Sequence, residues 1–519
     1  MAKLNGDDYL SVICIGAGFS GICFGAQLQR QLKHHDFHIY DMFDDFGGTW
    51  CTNSYPGAAC DVPAAFYSFS FAQSTHWSTA LAPRSELFSY LTKVAETYGL
   101  RERTTFRTRC EQTIWDSARS RWIVHLVNID SGAQFKRECS VLITGVGAFS
   151  QPNAPSSIAD FSKFEGSIFH SARWNHDIDL NGKDVVLVGN GCSANQIVPA
   201  IAPRVRSLTQ IVRSAQWVLP PVLLKYTPRM RWTLQNVPLA QQLLRWFIFI
   251  YTEVTFIGFF MSAWGKHMRN FFENKSKDYI ASEAPKEYQS ILVPKFEMGC
   301  KRRIFDQGYI PSLRLPNVSL ARAYIVEVLP RSIRTTEGTY PADVVVLATG
   351  FVGNRGYQPF RIVGRDGLSL REHWGGEPEE GLKRVNPPLG NLAGPGAYNS
   401  IACAGFPNFF FLLGPNSGTG HTSAVLAIEN MTNLVIKLIT PILRGEQKAV
   451  EIRAEAEQTY VARIQHHLRG MVWSQCHSWY KTDDDGWNAN LYPWSQVVFW
   501  WRCTFPTWRD WVYTPAEKA

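Results

Sequence analysis

The sequence lacks paired cysteines at the spacings that metal sites and redox centres use. Its 11 cysteines are scattered along 519 residues, and no two of them form a Cys-x-x-Cys motif. An odd number without framework spacing argues against structural disulfides, a zinc site and a dithiol redox pair. We therefore expect free thiols, no metal site and a reducing, cytoplasmic environment.

Long runs of charge of one sign are also missing. The net charge of +8 is spread along the chain, and the only tight basic cluster is Lys301-Arg302-Arg303. No nucleic-acid-binding stripe is therefore expected, whereas an anionic dinucleotide suits this balance of charge. With 45% hydrophobic and 18% charged residues, a chain of this length is expected to fold into two or three packed units.

The amino terminus does not have the charged and apolar regions of a cleavable signal peptide. The one long apolar run, residues 246–263, is about long enough to cross a bilayer. Glu253 at its centre, with Arg245 and Lys266 nearby, favours a buried or tunnel-lining helix. Peripheral contact with a membrane is the alternative.

Two glycine turns are present, each between an apolar strand and a helical pattern. The first follows Leu10 to Ile15 and reads Gly16-Ala17-Gly18-Phe19-Ser20-Gly21. The second follows Val185 to Val188 and reads Gly189-Asn190-Gly191-Cys192-Ser193-Ala194. Unpaired N–H groups and the helix dipole at such a turn favour a phosphate. The repeated pattern predicts an α/β fold with two Rossmann-like dinucleotide-binding domains.

The residue after the next strand distinguishes the two turns. Asp41 follows the strand predicted at 37–40, where a carboxylate can bind ribose hydroxyls. Arg213 stands at the matching place in the second unit, where an arginine can pair with the extra 2′-phosphate of NADP. Two such sites in one chain indicate a flavin that a nicotinamide reduces. We therefore expect FAD at the first turn and NADPH at the second.

Domain boundaries follow from glycine and proline breaks between buried strands. Residues 141–145 close the first unit, and the buried run Val344 to Leu347 is expected to return the chain to that unit. The predicted domains are an FAD-binding domain over 1–150 and 336–519 and an NADP-binding domain over 151–335, with an aromatic helical insert over about 219–298 that covers a site.

Residues 47–61 resemble a known fingerprint at every specified position. They read Gly-Gly-Thr-Trp-Cys-Thr-Asn-Ser-Tyr-Pro-Gly-Ala-Ala-Cys-Asp, against the Baeyer–Villiger monooxygenase pattern Ala/Gly-Gly-x-Trp-x4-Phe/Tyr-Pro-Gly/Met-x3-Asp. The second pattern of that family, Phe-x-Gly-x3-His-x3-Trp-Pro/Asp, is matched over residues 164–175 except at its last position. The chain therefore resembles the Baeyer–Villiger monooxygenases, which are class B flavoprotein monooxygenases.

The departure from the second pattern is Asn175, where the family has proline or aspartate. Trp174 still separates the chain from related heteroatom-oxidising enzymes, which usually carry tyrosine or phenylalanine there. The fold and cofactors that the resemblance implies are unaffected, but the implication that the oxidised atom is a ketone carbon is weakened. By resemblance, His170 lies in the linker that relays domain movement and is not a proton donor.

Gly299-Cys300-Lys301-Arg302 resembles the family segment that places a lysine near the NADP 2′-phosphate and an arginine beside the flavin. In the family, O2 adds to reduced flavin to give a C4a-peroxyflavin, and a fixed guanidinium can stabilise its negative charge. By resemblance, Asp61 orients that arginine. The catalytic candidates are thus Arg302 and Asp61.

The candidate cofactor-binding residues combine both turns with these segments. They are Gly16, Gly18, Phe19, Ser20, Gly21, Asp41, Gly48, Thr49, Trp50, Asp61 and Tyr67 for FAD, and Gly189, Gly191, Ser193, Ala194, Arg213, Ser214 and Lys301 for NADP.

The resemblance continues to the carboxy-terminal part of the chain. It includes Gly414-Pro415-Asn416 with His421, near the flavin in this family, and segments at 476–481 and 492–494 that look like those of natural-product pathways. Eight of the 18 tryptophans fall between Trp473 and Trp511. We expect them to form a packed cap on the flavin domain.

The resemblance implies an FAD- and NADPH-dependent monooxygenase that inserts one oxygen atom from O2 next to a ketone carbonyl. The aromatic insert indicates a bulky, apolar secondary-metabolite ketone, because its surface exceeds what a small ketone needs. Oxidation of sulfur or nitrogen, or hydroxylation, on the same scaffold is the first alternative. An NADPH-dependent flavin reductase without oxygenation is the second.

Overall fold

The computed structural model describes residues 9–153, 156, 159–222, 224–352, 357–377, 392–481 and 486–516. The strands are β1 Tyr9–Ile15, β2 Phe37–Tyr40, β3 Thr104–Thr105, β4 Thr108–Asp116, β5 Arg121–Asn128, β6 Gln134–Thr144, β7 Ser167–His170, β8 Asp184–Val188, β9 Ser207–Ile211, β10 Val218–Leu219, β11 Ile304–Phe305, β12 Val318–Ala321, β13 Ile325–Leu329, β14 Ser332–Thr335, β15 Thr339–Pro341, β16 Val344–Leu347, β17 Arg361–Val363, β18 Phe409–Phe411, β19 Gln447–Ile452 and β20 Trp511–Pro515. The helices are α1 Phe19–Leu32, α2 Thr49–Thr52, α3 Arg84–Thr97, α4 Cys192–Ile201, α5 Pro228–Asn236, α6 Ala240–Thr255, α7 Ala263–Glu283, α8 Lys286–Leu292, α9 Tyr309–Ser312, α10 Leu370–His373, α11 Ala424–Leu443, α12 Ala454–Arg469 and α13 Gln496–Thr504.

The first large sheet contains eight strands and is built around β1. Its order is β17-β4-β5-β6-β1-β2-β3, and β18 also pairs with β6. β1 runs parallel to both β2 and β6, so the first glycine turn leaves the sheet at the carboxyl ends of its central strands. In β1, Val12, Ile13 and Cys14 are fully buried, and they share one core cluster with residues of α1 and α11.

The second large sheet contains five parallel strands in the order β12-β9-β8-β16-β7. β8 lies at its centre and leads into the second glycine turn. Together with the first sheet, this arrangement confirms the predicted α/β fold with two Rossmann-like units.

β16 lies in the second sheet, between β8 and β7. The prediction that Val344–Leu347 returns the chain to the first unit is therefore wrong, and the boundary expected at residue 336 falls after Leu347. A buried apolar run that ends in a glycine turn has the same pattern in either sheet, since both of its faces are covered.

Both turns require glycine, because the backbone of a neighbouring segment lies too close for a side chain. Gly16 has a φ of +111°, and a Cβ added to it would lie 2.6 Å from the carbonyl oxygen of Gly145. Gly189 has a φ of +131°, and its Cβ would lie 2.3 Å from the carbonyl oxygen of Ala348. Any side chain at these two positions would be excluded by the neighbouring backbone.

The insert expected at 219–298 forms helices α5 to α8, but it is not buried as predicted. One face of α6 packs on the protein, with Ile248 and Thr255 buried, whereas Trp246 and Phe247 on its other face are 61% and 69% exposed. Periodicity did not reveal this, because apolar residues lie on both faces of the helix. Among the described residues, one helix is long and apolar enough to cross a membrane, Ala424–Leu443, and 72% of that window is buried inside the protein.

The tryptophan-rich end is only partly a packed cap. Trp473 and Trp511 are buried in the core, in agreement with the prediction. Trp500, Trp501 and Trp508 are exposed, so for these side chains the prediction is wrong. Their positions in and after the short helix α13 leave them on its outer side.

A disulfide joins Cys300 to Cys476, whose Cα atoms lie 6.1 Å apart. The prediction that the chain has no disulfide is therefore wrong. The argument for a reducing environment relied on that prediction, so it no longer holds. The two cysteines are 176 residues apart and have no framework spacing around them. Only the folded chain brings them together.

Candidate active site

The first glycine turn and Asp41 form one hydrogen-bonded unit. Asp41 Oδ2 accepts a hydrogen bond from the N–H of Ala17 at 2.6 Å, and Oδ1 accepts one from Phe43 at 2.8 Å. Burial raises the pKa of Asp41, and these N–H groups oppose that shift. The Asp41 carboxylate, directly after β2, thus fixes the first glycine turn. This is the position at which the sequence predicted an acid that binds ribose.

The remaining turn residues lie at the start of α1, as predicted. Gly18 precedes the helix, Phe19 and Ser20 are its first buried residues, and a Cβ on Gly21 would lie 2.0 Å from the carbonyl oxygen of Gly16. α1 therefore begins with free N–H groups at the turn, the geometry that binds phosphate.

The fingerprint segment that begins at Gly47 packs directly on this turn. The N–H of Gly47 donates to the carbonyl of Ala17 at 3.1 Å. A Cβ on Gly48, whose φ is +53°, would lie 2.9 Å from the Cα of Gly18. The glycines of the two segments therefore leave a cradle without side chains.

Thr49 and Trp50 follow in the short helix α2. Trp50 is buried, its ring centroid lies 5.9 Å from that of Tyr67, and its indole N–H faces the Tyr67 hydroxyl. The Tyr67 ring also lies 5.0 Å from the ring of Phe19 in the first turn. The cradle beside these rings fits a bound dinucleotide.

The second half of the fingerprint contacts the second nucleotide unit. Tyr55 donates its hydroxyl hydrogen to Gln196 Oε1 of α4 at 2.8 Å, and Gln196 Nε2 donates to the carbonyl of Ala59 at 2.9 Å. A Cβ on Gly57 would lie 2.4 Å from the carbonyl oxygen of Gln196. The segment thus connects the two nucleotide units.

The second glycine turn has open space at its middle glycine. Gly191 precedes α4, and a Cβ added to it would meet no atom within 4 Å, whereas Ala194 in the place of a third glycine is fully buried. Ser193 lies between them in the first turn of α4. The side chain of Asn190 donates to the carbonyl of Ser214 at 3.0 Å, which links the turn to the segment after β9.

Arg213 and Lys301 come together beside Ser214. Lys301 Nζ lies 3.4 Å from Ser214 Oγ, and burial together with the charge of Arg213 lowers the pKa of Lys301. Within the described residues, neither cation has an ion pair with a carboxylate. Two converging cations without a counter-ion fit a phosphate.

Arg302 and Asp61 form a two-point ion pair. Arg302 Nε lies 2.5 Å from Asp61 Oδ2, and Nη2 lies 2.7 Å from Oδ1. Burial raises the pKa of Asp61, but the charge and the hydrogen bonds of Arg302 together outweigh burial and hold the pKa below its usual value. The same attraction raises the pKa of Arg302. Both groups are therefore ionised at neutral pH, and the guanidinium is held in one orientation.

Two side chains beside this pair, half-buried Cys192 and buried Tyr480, were missed as site candidates. Cys192, at the start of α4, and Tyr480 both lie close enough to Arg302 to interact with its charge. Burial raises the pKa of each to about 12, so both are neutral. The sequence feature that could have identified them is their position: Cys192 lies in the second glycine turn, and Tyr480 lies in the segment 476–481.

The two histidines noted in the sequence, His170 and His421, both contact neighbouring groups of the protein. His170 is buried, and its Nδ1 accepts a hydrogen bond from the N–H of Ala172 at 3.0 Å at the start of a 3-10 turn. His421 Nε2 lies 2.8 Å from Oε1 of Glu253, the acid at the centre of the apolar insert. This contact joins the insert to the segment after β18.

Comparison with protein families gives two partial matches. Residues 14–82 match the family described as NAD(P)-binding Rossmann-like domain. Residues 64–220 match the family described as L-lysine 6-monooxygenase/L-ornithine 5-monooxygenase. The first match covers the first glycine turn and the fingerprint, and the second match covers the second glycine turn.

Comparison with whole proteins extends the similarity to almost the entire chain. The chain is 32% identical to a Baeyer–Villiger monooxygenase from Streptomyces coelicolor over 95% of its own length and 90% of that protein. It is 29% identical to the FAD-binding monooxygenase ktnD from Aspergillus niger, over 98% and 82% of the two chains. Among solved structures, OTEMO in complex with FAD and NADP matches with a TM-score of 0.83 and 22% identity, over 97% of this chain and 99% of that one.

Proposed function

The chain belongs to the Baeyer–Villiger monooxygenase family, and from this membership we propose that it uses FAD, NADPH and O2 to insert one oxygen atom beside a ketone carbonyl. The product is an ester or a lactone. The observation that carries this proposal is the Asp61–Arg302 ion pair, which holds a fixed guanidinium where the fingerprint segment and the second nucleotide helix meet.

The residues around the first turn fit FAD. The turn at Gly16 and Gly18 would hold the pyrophosphate, Asp41 supports that turn, and the ring of Trp50 packs beside it. When bound, FAD supplies the chemistry that the side chains lack, namely acceptance of a hydride and reaction with O2. The protein binds and orients this group.

The second turn fits NADPH. Gly191 would admit a phosphate to the start of α4, and Arg213 and Lys301 would pair with the 2′-phosphate. Without that phosphate, the two cations repel each other, because no carboxylate is paired with either in the described part of the chain. The arrangement therefore supports NADPH as the preferred nicotinamide.

Arg302 has the charge and orientation needed at the reacting centre. A guanidinium held by two hydrogen bonds to Asp61 favours negatively charged oxygen over neutral oxygen beside it. Such a group costs no reorganisation during the reaction, because Asp61 has already fixed it. Asp61 is thus a positioning residue.

The substrate class that we propose is a bulky, apolar ketone. Phe256, Phe259 and Trp473 form a buried aromatic wall, in which the rings of Phe259 and Trp473 lie 4.7 Å apart. Arg303, the neighbour of Arg302, lies 6.0 Å from the Phe259 ring. Each CH2 group that such a wall covers contributes about 0.8 kcal/mol to binding. A steroid-sized ketone should therefore have a much higher kcat/KM than cyclohexanone, and a clear preference for the small ring would overturn this assignment.

Oxidation of a heteroatom is the second candidate. It is favoured by the match of residues 64–220 to the L-lysine 6-monooxygenase/L-ornithine 5-monooxygenase family and by Asn175 in the second fingerprint. A sulfide or an amine would then replace the ketone at the same site.

Product analysis distinguishes the two candidates. The purified protein is supplied with NADPH and O2, and with either a ketone or a sulfide that has the same carbon skeleton. We expect an ester from the ketone at a higher kcat/KM than the sulfoxide from the sulfide. Sulfoxide formation with no ester across a set of cyclic and polycyclic ketones would overturn the proposed reaction.

A further inference from the structure

Helix α6 presents apolar side chains to solvent as well as to the protein. Its inner face is fixed by Arg245, whose Nη1 donates to the carbonyl of Ala65 at 2.6 Å, and by buried Ile248. Its outer face, which we call the insert face, consists of Leu243, Trp246, Phe247, Ile250, Tyr251 and Val254, all more than half exposed. A surface helix of a globular protein normally has polar residues on this side.

The one acid in α6 does not make this face polar. Glu253 Oε1 lies 2.8 Å from His421 and also accepts the N–H of Gln496 at 3.1 Å. The carboxylate is thus directed into the protein. It also places the start of α13 against α6, so the two helices are neighbours.

α13 and the segment after it add further exposed aromatic side chains. Trp501 is 58% exposed, Phe505 and Trp508 are each more than half exposed, and the rings of Trp501 and Phe505 lie 4.4 Å apart. Trp264, at the start of α7, is 78% exposed. Tryptophan is the side chain most typical of the boundary between lipid and water, because its ring is apolar and its N–H is polar.

The charge around these helices is mostly positive. Residues 219–272 contain six lysines and arginines and a single acid, Glu253. Two of the six, Arg245 and Arg269, are directed into the protein. Residues 486–510 contain two arginines and one acid, Asp510, which lies 3.9 Å from Arg509. Lys225, Arg229 and Lys266 are exposed, and within the described residues they have no ion pair. The aromatic surface therefore has cations at its margin.

From this combination we propose that the insert face binds the surface of an anionic lipid bilayer. An aromatic face with exposed cations beside it is the composition of helices that lie in the interface of an anionic membrane. At 16 residues, α6 is about 24 Å long, shorter than the roughly 30 Å apolar core, and its inner face is covered by protein. It therefore lies in the membrane plane and does not cross the bilayer.

A second copy of the chain fits this surface less well. In a two-fold dimer the same surface faces itself, so the cationic margins of the two copies would meet. Acidic lipid headgroups supply the opposite charge. Membrane binding goes beyond the proposed reaction and does not depend on it. It also places the membrane near the site, since Tyr251 of the insert face lies close enough to Arg303 to interact with its charge.

The test is sedimentation of the purified, flavin-loaded full chain with vesicles. We expect binding to phosphatidylcholine vesicles that contain about 30% phosphatidylserine, and weaker binding without the anionic lipid or at high salt. Phe247→Ser with Ile250→Ser should weaken binding at least about tenfold, because two apolar side chains lose their burial in lipid. Lys225→Glu with Arg229→Glu should remove the preference for anionic lipid.

The matched control is Tyr324→Ser with Val326→Ser. These side chains are each 63% exposed, but they lie in and beside β13 of the second unit, away from α6 and α13. The control should bind vesicles as the parent does, and all variants should retain flavin and NADPH oxidation. The proposal is overturned if the parent protein does not bind vesicles, or if the Phe247→Ser/Ile250→Ser variant binds them as well as the parent does. It is also overturned if the only effect of this variant is to convert a dimer to a monomer in sedimentation velocity.

Discussion

Arg302 and Asp61, which are 241 positions apart in sequence, meet through two hydrogen bonds of 2.5 and 2.7 Å. Arg302 comes from the segment that follows the insert, and Asp61 ends the fingerprint that packs on the first glycine turn and on α4. The pair therefore connects the elements proposed to bind the two dinucleotides. Its geometry leads to two separate predictions, one for activity and one for stability.

Arg302→Ala should lower kcat by about two to three powers of ten, the scale for loss of one fixed electrostatic contact. FAD binding should remain, because no residue of the first turn is changed. Arg302→Lys keeps the charge but loses the two-point contact with Asp61, so it should recover only part of the rate. Steady-state kinetics with a flavin absorbance spectrum measure both effects. Full activity in the alanine variant would show that another group stabilises the charge.

The stability of the protein should depend on Asp61 only above acidic pH. The usual pKa of Asp61 is 3.8, and Arg302 lowers it in the folded state. A carboxyl with a lowered folded pKa stabilises the fold above its unfolded pKa, and this contribution is lost as the pH falls through the folded pKa. The Tm of Asp61→Asn should thus lie below that of the parent from about pH 7 to about pH 5. This difference in Tm should disappear as the pH falls below 3.8.

The control for this prediction is Asp130→Asn. Asp130 pairs with Arg107 in an ion pair whose two side chains are 59% and 45% exposed, and exposed pairs contribute little to stability. A gap in Tm for Asp61→Asn that is the same at every pH would show that the ion pair is not its cause.

Arg213→Ala should raise the KM for NADPH by about 10- to 150-fold and leave the KM for NADH unchanged, since a hydrogen bond to a charged group contributes about 1.5–3 kcal/mol. Lys301→Ala should act in the same direction. Arg204 is an exposed cation before β9, at the opposite end of that strand from Arg213, so Arg204→Ala is the matched control. Equal use of NADPH and NADH by the parent protein would remove both residues from this role.

The disulfide can be tested by counting the free thiols of the chain. Titration of the denatured chain without reductant should detect 9 thiols, and titration after reduction should detect 11. Cys476→Ser should lower the free energy of unfolding by about 2–4 kcal/mol, because the link constrains the unfolded chain. Cys503→Ser changes a buried free thiol and is the control. Detection of 11 thiols before reduction would exclude the link.

The nucleotide-binding turns could be predicted because their signals are local. A glycine that the backbone requires, as at Gly16 and Gly189, lies within a few residues of the strand and helix that it joins. Asp41 and Arg213 follow at a fixed distance in the same unit. The Asp61–Arg302 contact, in contrast, was expected only from the family resemblance, since nothing near either residue in sequence indicates the other.

Three features could not be predicted, because each depends on how distant segments pack. The partner of Cys300 is set by the meeting of two segments 176 residues apart. The sheet to which β16 belongs is not encoded in its four buried residues. Helix α6 is apolar on both faces, so its periodicity could not identify the exposed side.

The central claim, that the protein transfers one oxygen atom from O2 to its substrate, is tested most directly with labelled oxygen. The purified enzyme is given NADPH, a polycyclic ketone and ¹⁸O2, and the product is analysed by mass spectrometry while NADPH consumption is recorded. We predict an ester that contains one ¹⁸O atom, formed in about equal amount to the NADPH oxidised. NADPH oxidation that yields hydrogen peroxide and no labelled product with any ketone, sulfide or amine would contradict the claim.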